Sequence, residues 1–150
     1  MSRTKLIFLS IIMVGITSAS SFFIVYTIKQ SQLKENSELF AIAFTEKFFS
    51  SWDFDFFLES CSTGYCNKLP ETDFLAMINN MKRIGTLKEI SAIQGNISEY
   101  SIFNRQKVTA SYQLDTVFNN DSAETYLELV QENNNWKVEK IIINSNFLAD

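Results

Sequence analysis

The sequence predicts an α+β domain preceded by a single membrane-spanning helix. Three observations support this: an uncharged apolar run near the N-terminus, a helical repeat of apolar residues after it, and an alternating pattern that begins after Gly85. Helices that precede a group of strands, rather than alternating with them, are typical of α+β domains. A hydrophobic content of 46%, with 14 Phe among 150 residues, excludes a disordered chain.

The apolar run covers residues 6–28 and contains no charged residue. As a helix it would be about 34 Å long, enough to cross a hydrocarbon core of about 30 Å. Arg3 and Lys5 precede it, so the positive-inside rule places residues 1–5 in the cytoplasm and the C-terminal part outside. The alternative is a signal peptide, residues 1–20, whose cleavage would give a secreted form, but the apolar run continues past that site.

Charge is distributed unevenly along the chain. Three of the 13 basic residues precede residue 30 and all 17 acidic residues follow it, so residues 30–150 carry a net charge of −7. An acidic surface argues against nucleic-acid binding, which needs cations to displace counterions. The absence of His removes the commonest general base and the commonest zinc ligand. The sequence therefore predicts no nucleic-acid partner, no metal and no cofactor.

A polar segment, residues 29–36, is predicted to join the span to the domain, either as a linker or as a continuing helix. The domain itself is expected to cover residues 37–150. Its first helix is predicted from aromatic residues that recur every four positions and form one apolar side: Phe40, Phe44, Phe48, Trp52 and Phe56. This helix should bend near Ser51.

Two further helices are predicted before Gly85. Asp53 is expected to cap a short helix with the sequence DFDFFLES. A loop then leads to Pro70, which precedes a third helix with a buried side formed by Phe74, Ile78 and Met81. Gly85 is expected to end this third helix, because glycine adopts the backbone conformation that closes a helix C-terminus.

The pattern after Gly85 predicts an antiparallel meander. Alternating apolar and polar residues indicate strands at Leu87–Gln94, Ile97–Phe103, Lys107–Phe118, Ala123–Glu132 and Trp136–Asn144. The second of these is either a separate strand or a continuation of the first beyond a bulge at Gly95. Broken alternation at Glu139–Lys140 predicts another bulge, and Asn-rich segments after the third and fourth strands predict hairpin turns.

Three segments carry a family resemblance: FTEKFFSSWDFDFFLESCS, MKRIGTLKEI and TYLELVQENNNWKVEKIII. Together, over about residues 37–145, they resemble small extracytoplasmic members of the nuclear-transport-factor-2-like, or cystatin-like cone, superfamily. The resemblance implies a cone-shaped domain with about three helices on a curved antiparallel sheet of four or more strands. This superfamily includes isomerases, dehydratases, ligand-binding proteins and assembly factors, so the resemblance leaves the function open.

The two cysteines, Cys61 and Cys66, enclose four residues in a turn-prone loop. Outside the cytoplasm, such a pair is expected to form a structural disulfide. A redox pair usually has two intervening residues, and a metal site would need further Cys or His ligands that the chain lacks. We therefore expect a disulfide that stabilises the loop by about 2 kcal/mol.

Asp53 and Asp55 are the most suggestive carboxylates, because aromatic residues flank each of them in the sequence. Desolvation by such neighbours would raise the pKa of an Asp and make it a base. The superfamily resemblance extends to ketosteroid isomerase, which pairs an Asp base with a Tyr. It implies that Tyr112 or Tyr126 would be the oxyanion donor. The competing interpretation is that Asp53 caps a helix while Asp55 faces water. We therefore assign no catalytic residue and predict that the protein is not an enzyme.

Aromatic residues in the helices and strands also form a candidate apolar pocket. The competing interpretation is that they fill the core, since a domain of this size buries about two-thirds of its unfolded surface. The candidate lining residues, with Phe57 beside them, are Trp52, Phe56, Tyr112, Tyr126 and Trp136.

Taken together, these features predict a protein of the bacterial inner membrane that displays an acidic domain in the periplasm. Its expected function is binding or scaffolding in envelope protein assembly. The layout, one N-terminal anchor and a cone domain, is similar to that of an inner-membrane assembly subunit of type IV secretion systems. Expected partners are the membrane, through residues 6–28, and an envelope protein. Self-association is the alternative, through a small-residue pair at Gly15 and Ala19. The alternative functions are a small apolar-ligand-binding cone and an isomerase or dehydratase that uses Asp53 or Asp55.

Overall fold

The computed structural model describes the backbone of residues 3–68, 70–102 and 105–149, and the side chains within 24–68, 70–100 and 107–148. The chain divides into two compact units, Met1–Glu35 and Asn36–Asp150.

The first unit is helical. Helix α1 begins at Arg3 and continues to Ser51, so residues 29–36, which the sequence allowed to be linker or helix, are helical. The predicted span, residues 6–28, lies for the most part outside the residues whose side chains are described. Within the described part of the chain, no helix is both long and apolar enough to cross a membrane.

The second unit begins with the C-terminal part of α1 and three more α-helices. These are α2 (Phe54–Ser60), α3 (Thr63–Cys66) and α4 (Glu71–Met81), and a 3-10 turn, Lys82–Ile84, follows α4. The bounds of α2 and α4 confirm the helices predicted there. The short α3 lies inside the segment predicted to be an irregular loop, because a four-residue helix is too short for a periodic apolar pattern.

Local hydrogen bonds explain where these helices begin and end. The Asp53 side chain accepts a hydrogen bond from the Phe56 N–H at 3.2 Å, which confirms its predicted role as the cap of α2. Trp52 ends α1 with a φ of 53°, a left-handed conformation that is unusual for a bulky residue. Its indole N–H donates to the Gly85 carbonyl at 2.9 Å and so stabilises this bend. Gly85 itself has a φ of 94°, as expected for a glycine that closes a helix.

A four-stranded antiparallel sheet follows, and the helices precede it, which confirms the α+β class. The strands are β1 (Leu87–Ile102), β2 (Arg105–Phe118), β3 (Ser122–Glu132) and β4 (Asn135–Asn144), in the spatial order β1-β2-β3-β4. A short helix that the sequence did not predict, α5 (Asn146–Ala149), follows β4.

Of the two alternatives for the strand after Gly95, the structure has the continuation of the first strand, but without the predicted bulge at Gly95. The bulge predicted at Glu139–Lys140 is confirmed. β1 passes through Gly95 without interruption, and its register shifts lie earlier, between Leu87 and Glu89 and between Ile90 and Ala92. Phe103, the predicted end of this region, lies outside the described residues. In β4, Glu128 pairs with Lys140 whereas Leu129 pairs with Val138, so one residue is extra.

Gly95 has a different physical role from the one that the sequence suggested. A Cβ atom at this position would lie 2.5 Å from Cε1 of the Tyr112 ring and 2.6 Å from the Ser111 carbonyl oxygen. The glycine therefore lets the ring of its cross-strand partner lie against the strand. The sequence signal was correct in marking a special backbone position but not in its cause.

Candidate functional site

The space between the helices and the sheet is filled by aromatic side chains. Phe44, Phe48, Phe49, Trp52, Phe57, Phe74 and Phe118 are all at most 5% exposed. Their rings form a connected cluster; those of Phe57 and Phe74, for example, are 4.8 Å apart between centroids, and those of Phe49 and Phe118 are 5.2 Å apart. Most of the predicted aromatic stripe is therefore core, although its two ends, Phe40 on α1 and Phe56 on α2, are only half-buried.

The five candidate pocket residues are distributed over different environments. Trp52 belongs to the buried cluster, and Phe56 lies at its edge with the Lys47 ammonium 4.1 Å from the ring centroid. Trp136 is buried near the start of β4. The two tyrosines lie on opposite faces of the sheet, because Tyr112 pairs with Leu127 and the adjacent residue Gln113 pairs with Tyr126. The structure does not bring the five side chains together around one cavity.

The tyrosine hydroxyls are occupied by hydrogen bonds within the fold. The Tyr112 hydroxyl is 2.6 Å from Ser37 Oγ, and both residues are buried between α1 and the sheet. Burial raises the pKa of Tyr112, while the Ser37 hydrogen bond acts in the opposite direction. The Tyr126 hydroxyl donates to Glu124 Oε2 at 3.0 Å, and this bond raises the pKa of Tyr126. Neither of these hydrogen bonds joins a tyrosine to Asp53 or Asp55.

Asp53 and Asp55, the candidate bases, are both exposed to solvent. Asp53 is engaged as the cap of α2, and Asp55 lies in the first turn of the same helix. Of the aromatic residues beside them in the sequence, Trp52 and Phe57 are buried in the core, and Phe54 and Phe56 are only partly buried. Among the residues that the structure describes, no group of three or more His, Cys, Asp or Glu side chains could hold a metal ion.

The Cys61–Cys66 disulfide is present, as predicted, and it closes a loop that lies along the outer edge of β4. Cys61 forms a parallel bridge with Val138, and the Ser62 N–H donates to the Val138 carbonyl at 2.8 Å. The Ser62 hydroxyl also donates to Glu139 Oε2 at 2.6 Å. The loop thus satisfies backbone groups of an edge strand that would otherwise be open to pairing with another chain.

A cleft of about 720 Å³ lies at one end of the sheet, where α5 and the adjoining ends of β2, β3 and β4 line it; its lining includes Asp115, Glu124 and Ser145. Asp121 fixes this corner, because its carboxylate accepts hydrogen bonds from the Ser145 hydroxyl at 2.6 Å and from the Phe147 N–H at 3.2 Å. These bonds, the one from Ser145 above all, lower the pKa of Asp121.

The outer face of the sheet, which points away from the aromatic core, carries a second depression of about 480 Å³. We call it the outer groove. Its lining contains two rows of outward-pointing side chains, each with one residue from β1, β2 and β3. They are Gln94, Gln113 and Tyr126 in one row and Asn96, Ser111 and Glu128 in the other.

The floor of the outer groove is the row of residues between these two, Gly95, Tyr112 and Leu127. The side chains of Tyr112 and Leu127 are buried on the opposite face, at 2% and 1% exposure, so the floor is formed mainly by backbone. Sequence analysis missed this site. The alternation in β2 showed that Ser111 and Gln113 point outward, but the partners from β1 and β3 depend on the register between strands.

Comparison of the chain with protein-family models, with curated proteins and with solved structures gives no match in any of the three.

Proposed function

We propose that this chain is a membrane-anchored binding or scaffolding domain that acts in envelope protein assembly. In this proposal residues 6–28 cross the inner membrane, residues 1–5 lie in the cytoplasm and the domain of residues 37–150 lies in the periplasm. The support for the orientation is the uncharged run with Arg3 and Lys5 before it. The disulfide also supports an oxidising compartment.

The proposal includes membership of the nuclear-transport-factor-2-like superfamily. Its support is the order of elements: a long helix, shorter helices that end at Gly85, and then a meander of four antiparallel strands. The superfamily accommodates both enzymes and assembly factors on this architecture, so the choice between them depends on the site.

The observation that carries the proposed function is that aromatic rings occupy the interior while the outer sheet face is open. The rings of Phe44, Phe48 and Phe57 pack at centroid distances of 5.0–6.1 Å and leave these side chains at most 2% exposed. A ligand that enters between helices and sheet would have to displace this packing, which is costly in a close-packed core. Recognition from the outer face requires no such change.

The test is affinity purification of the full-length chain from solubilised membranes, followed by mass spectrometry. Ser111→Lys and Thr109→Lys place a positive charge on the outer face, and Asn79→Lys makes the same kind of change on the exposed side of α4. We expect an envelope protein to be recovered in stoichiometric amount with the unaltered chain and with Asn79→Lys. The two outer-face variants should lose it.

Two results would contradict the proposal. The first is recovery of no envelope protein with the unaltered chain. The second is recovery that is equal for all three variants, which would separate the interaction from the outer face. A gain in thermal stability with a small apolar compound would instead favour the alternative of a ligand-binding cone.

A further inference from the structure

The side chains that border the outer groove are almost all polar and uncharged. Three are carboxamides, Gln94, Asn96 and Gln113, and two carry hydroxyl groups, Ser111 and Tyr126. The one carboxylate, Glu128, has the Lys140 ammonium at 3.6 Å. Among the described residues, the groove lining contains no Lys or Arg. The site therefore offers many hydrogen-bond donors and acceptors with little net charge.

Carboxamides are suited to ligands that carry adjacent hydroxyl groups, because each amide presents both donors and an acceptor in one plane. Besides the carboxamides, the groove offers a ligand the backbone groups of its floor and the aromatic ring of Tyr126 at its border. The Tyr126 ring is half-buried, and the hydrogen bond from its hydroxyl to Glu124 restrains its position. A pyranose ring has matching chemistry: hydroxyl groups around its edge and a C–H face that packs on aromatic carbon.

The dimensions of the groove agree with such a ligand. It crosses three strands, a distance of about 10 Å at the usual spacing between strands. Its volume of about 480 Å³ falls in the range of small-molecule sites and is enough for a disaccharide segment. An apolar ligand would leave the carboxamides without hydrogen-bond partners, and an anionic one would meet Glu128, whose paired cation, Lys140, lies outside the lining of the groove.

We propose that the outer groove binds a neutral glycan chain, with Gln94 and Gln113 as principal hydrogen-bonding residues and Tyr126 as the stacking residue. This rests on the proposed function in one respect, namely that the outer sheet face is the recognition surface. In this proposal, the bound envelope glycan holds the domain in place, and the membrane anchor, residues 6–28, holds the N-terminal end of the chain.

The test is isothermal titration of the full chain in lipid nanodiscs with two neutral oligosaccharides, chitotetraose and maltotetraose. Nanodiscs are needed because detergents with sugar headgroups would compete for the site. A sulfated tetrasaccharide of similar length serves as the charge control. We expect at least one neutral oligosaccharide to bind with a Kd of about 0.1–1 mM, as is usual for a shallow polar site, and the sulfated one to bind at least tenfold more weakly.

Variants then assign the binding to the groove. Gln94→Ala and Gln113→Ala should each weaken it about tenfold, the loss of one good hydrogen-bonding group. Ser98→Ala, on the same face of β1 as Gln94 but outside the lining, is the matched control and should leave the Kd unchanged. Thermal denaturation of each variant, compared with that of the unaltered chain, shows that the fold is retained.

Three outcomes overturn the proposal: no heat of binding from either neutral oligosaccharide, equal binding of the sulfated one, or an affinity that the two Gln variants do not change. If any one of them occurs while an envelope protein still copurifies through the outer face, only the glycan inference fails. If glycan binding is found but no protein partner is recovered, the assembly function fails and the glycan inference stands.

Discussion

Replacing Gly95 with Ala tests the central contact between β1 and β2. Without that contact, alanine should stabilise a strand position by about 0.5–1 kcal/mol, because it reduces the conformational entropy of the unfolded chain. The structure predicts the opposite sign. The added Cβ would lie 2.5 Å from Tyr112 Cε1 and 2.6 Å from the Ser111 carbonyl oxygen, well inside ordinary contact distance.

The Tyr112 ring has little room to retreat. It is 2% exposed, and its hydroxyl is 2.6 Å from Ser37 Oγ on α1. Overpacking of this kind costs about 1–3 kcal/mol, and moving the ring would also weaken a hydrogen bond that contributes about 1 kcal/mol. After the entropic gain is subtracted, we expect Gly95→Ala to lower the free energy of unfolding by about 1–3.5 kcal/mol.

Urea denaturation of the full chain in nanodiscs, followed by tryptophan fluorescence, measures this change. Both tryptophans, Trp52 and Trp136, are buried in the domain and report its unfolding. The matched control is Asn96→Ala, the next residue in β1 and exposed, which should change stability by less than about 0.5 kcal/mol. A Gly95→Ala variant as stable as the unaltered chain, or more stable, would refute the reasoning.

A double-mutant cycle with Tyr112→Ala adds a second criterion. If the ring causes the cost, Gly95→Ala should cost less in the Tyr112→Ala background, by about 1 kcal/mol or more. The relief should be partial, because the Ser111 carbonyl oxygen stays 2.6 Å from the new methyl group. Equal costs in the two backgrounds would assign the effect to the backbone alone.

Acid, loss of the disulfide and removal of one buried hydroxyl give three further predictions. Because the pKa of Asp121 is lowered in the fold, its ionised carboxylate stabilises the folded state at pH values above the unfolded pKa of about 4. This stabilisation is lost as the pH falls through the folded pKa. Asp121→Asn should therefore reduce the dependence of stability on pH below about pH 5. If urea titrations at several pH values gave the variant the same dependence of stability on pH as the unaltered chain, this account would be contradicted. In the same assay, the double variant Cys61→Ala/Cys66→Ala should have a free energy of unfolding about 2 kcal/mol lower, because the disulfide-closed loop restricts the unfolded chain. An unchanged midpoint of urea denaturation would contradict that account. Thr45→Val should instead raise the free energy of unfolding by about 1 kcal/mol, because the Thr45 hydroxyl is buried without a hydrogen-bond partner among the described residues. A loss of stability would show that the hydroxyl is hydrogen-bonded in solution.

Local sequence signals predicted the elements whose causes are local. The cap at Asp53, the end of the α4 region at Gly85 and the alternation through β2 each depend on a few neighbouring residues, and each is confirmed. The bulge at Glu139 was predictable for the same reason, since it interrupts a two-residue period within one strand.

Features that depend on contacts between distant segments were not predictable in this way. Gly95 suggested a bulge because glycine often marks one, whereas the structure assigns it to the ring of Tyr112, 17 residues later in the chain. The outer groove likewise depends on the register of three strands. A shift of one residue between β1 and β2 would move Gln94 and Asn96 to other neighbours and point different side chains outward.

Tyr112 connects the two sides of the sheet and so links the stability prediction to the binding prediction. Its backbone forms part of the floor of the outer groove, its ring lies against Gly95, and its hydroxyl contacts Ser37 on α1. Tyr112→Phe removes only the last of these contacts and should leave glycan affinity unchanged while it lowers stability by about 1 kcal/mol. Gly95→Ala alters the floor itself and should affect both properties. Comparing the two variants therefore separates the part of Tyr112 that holds α1 to the sheet from the part that shapes the groove.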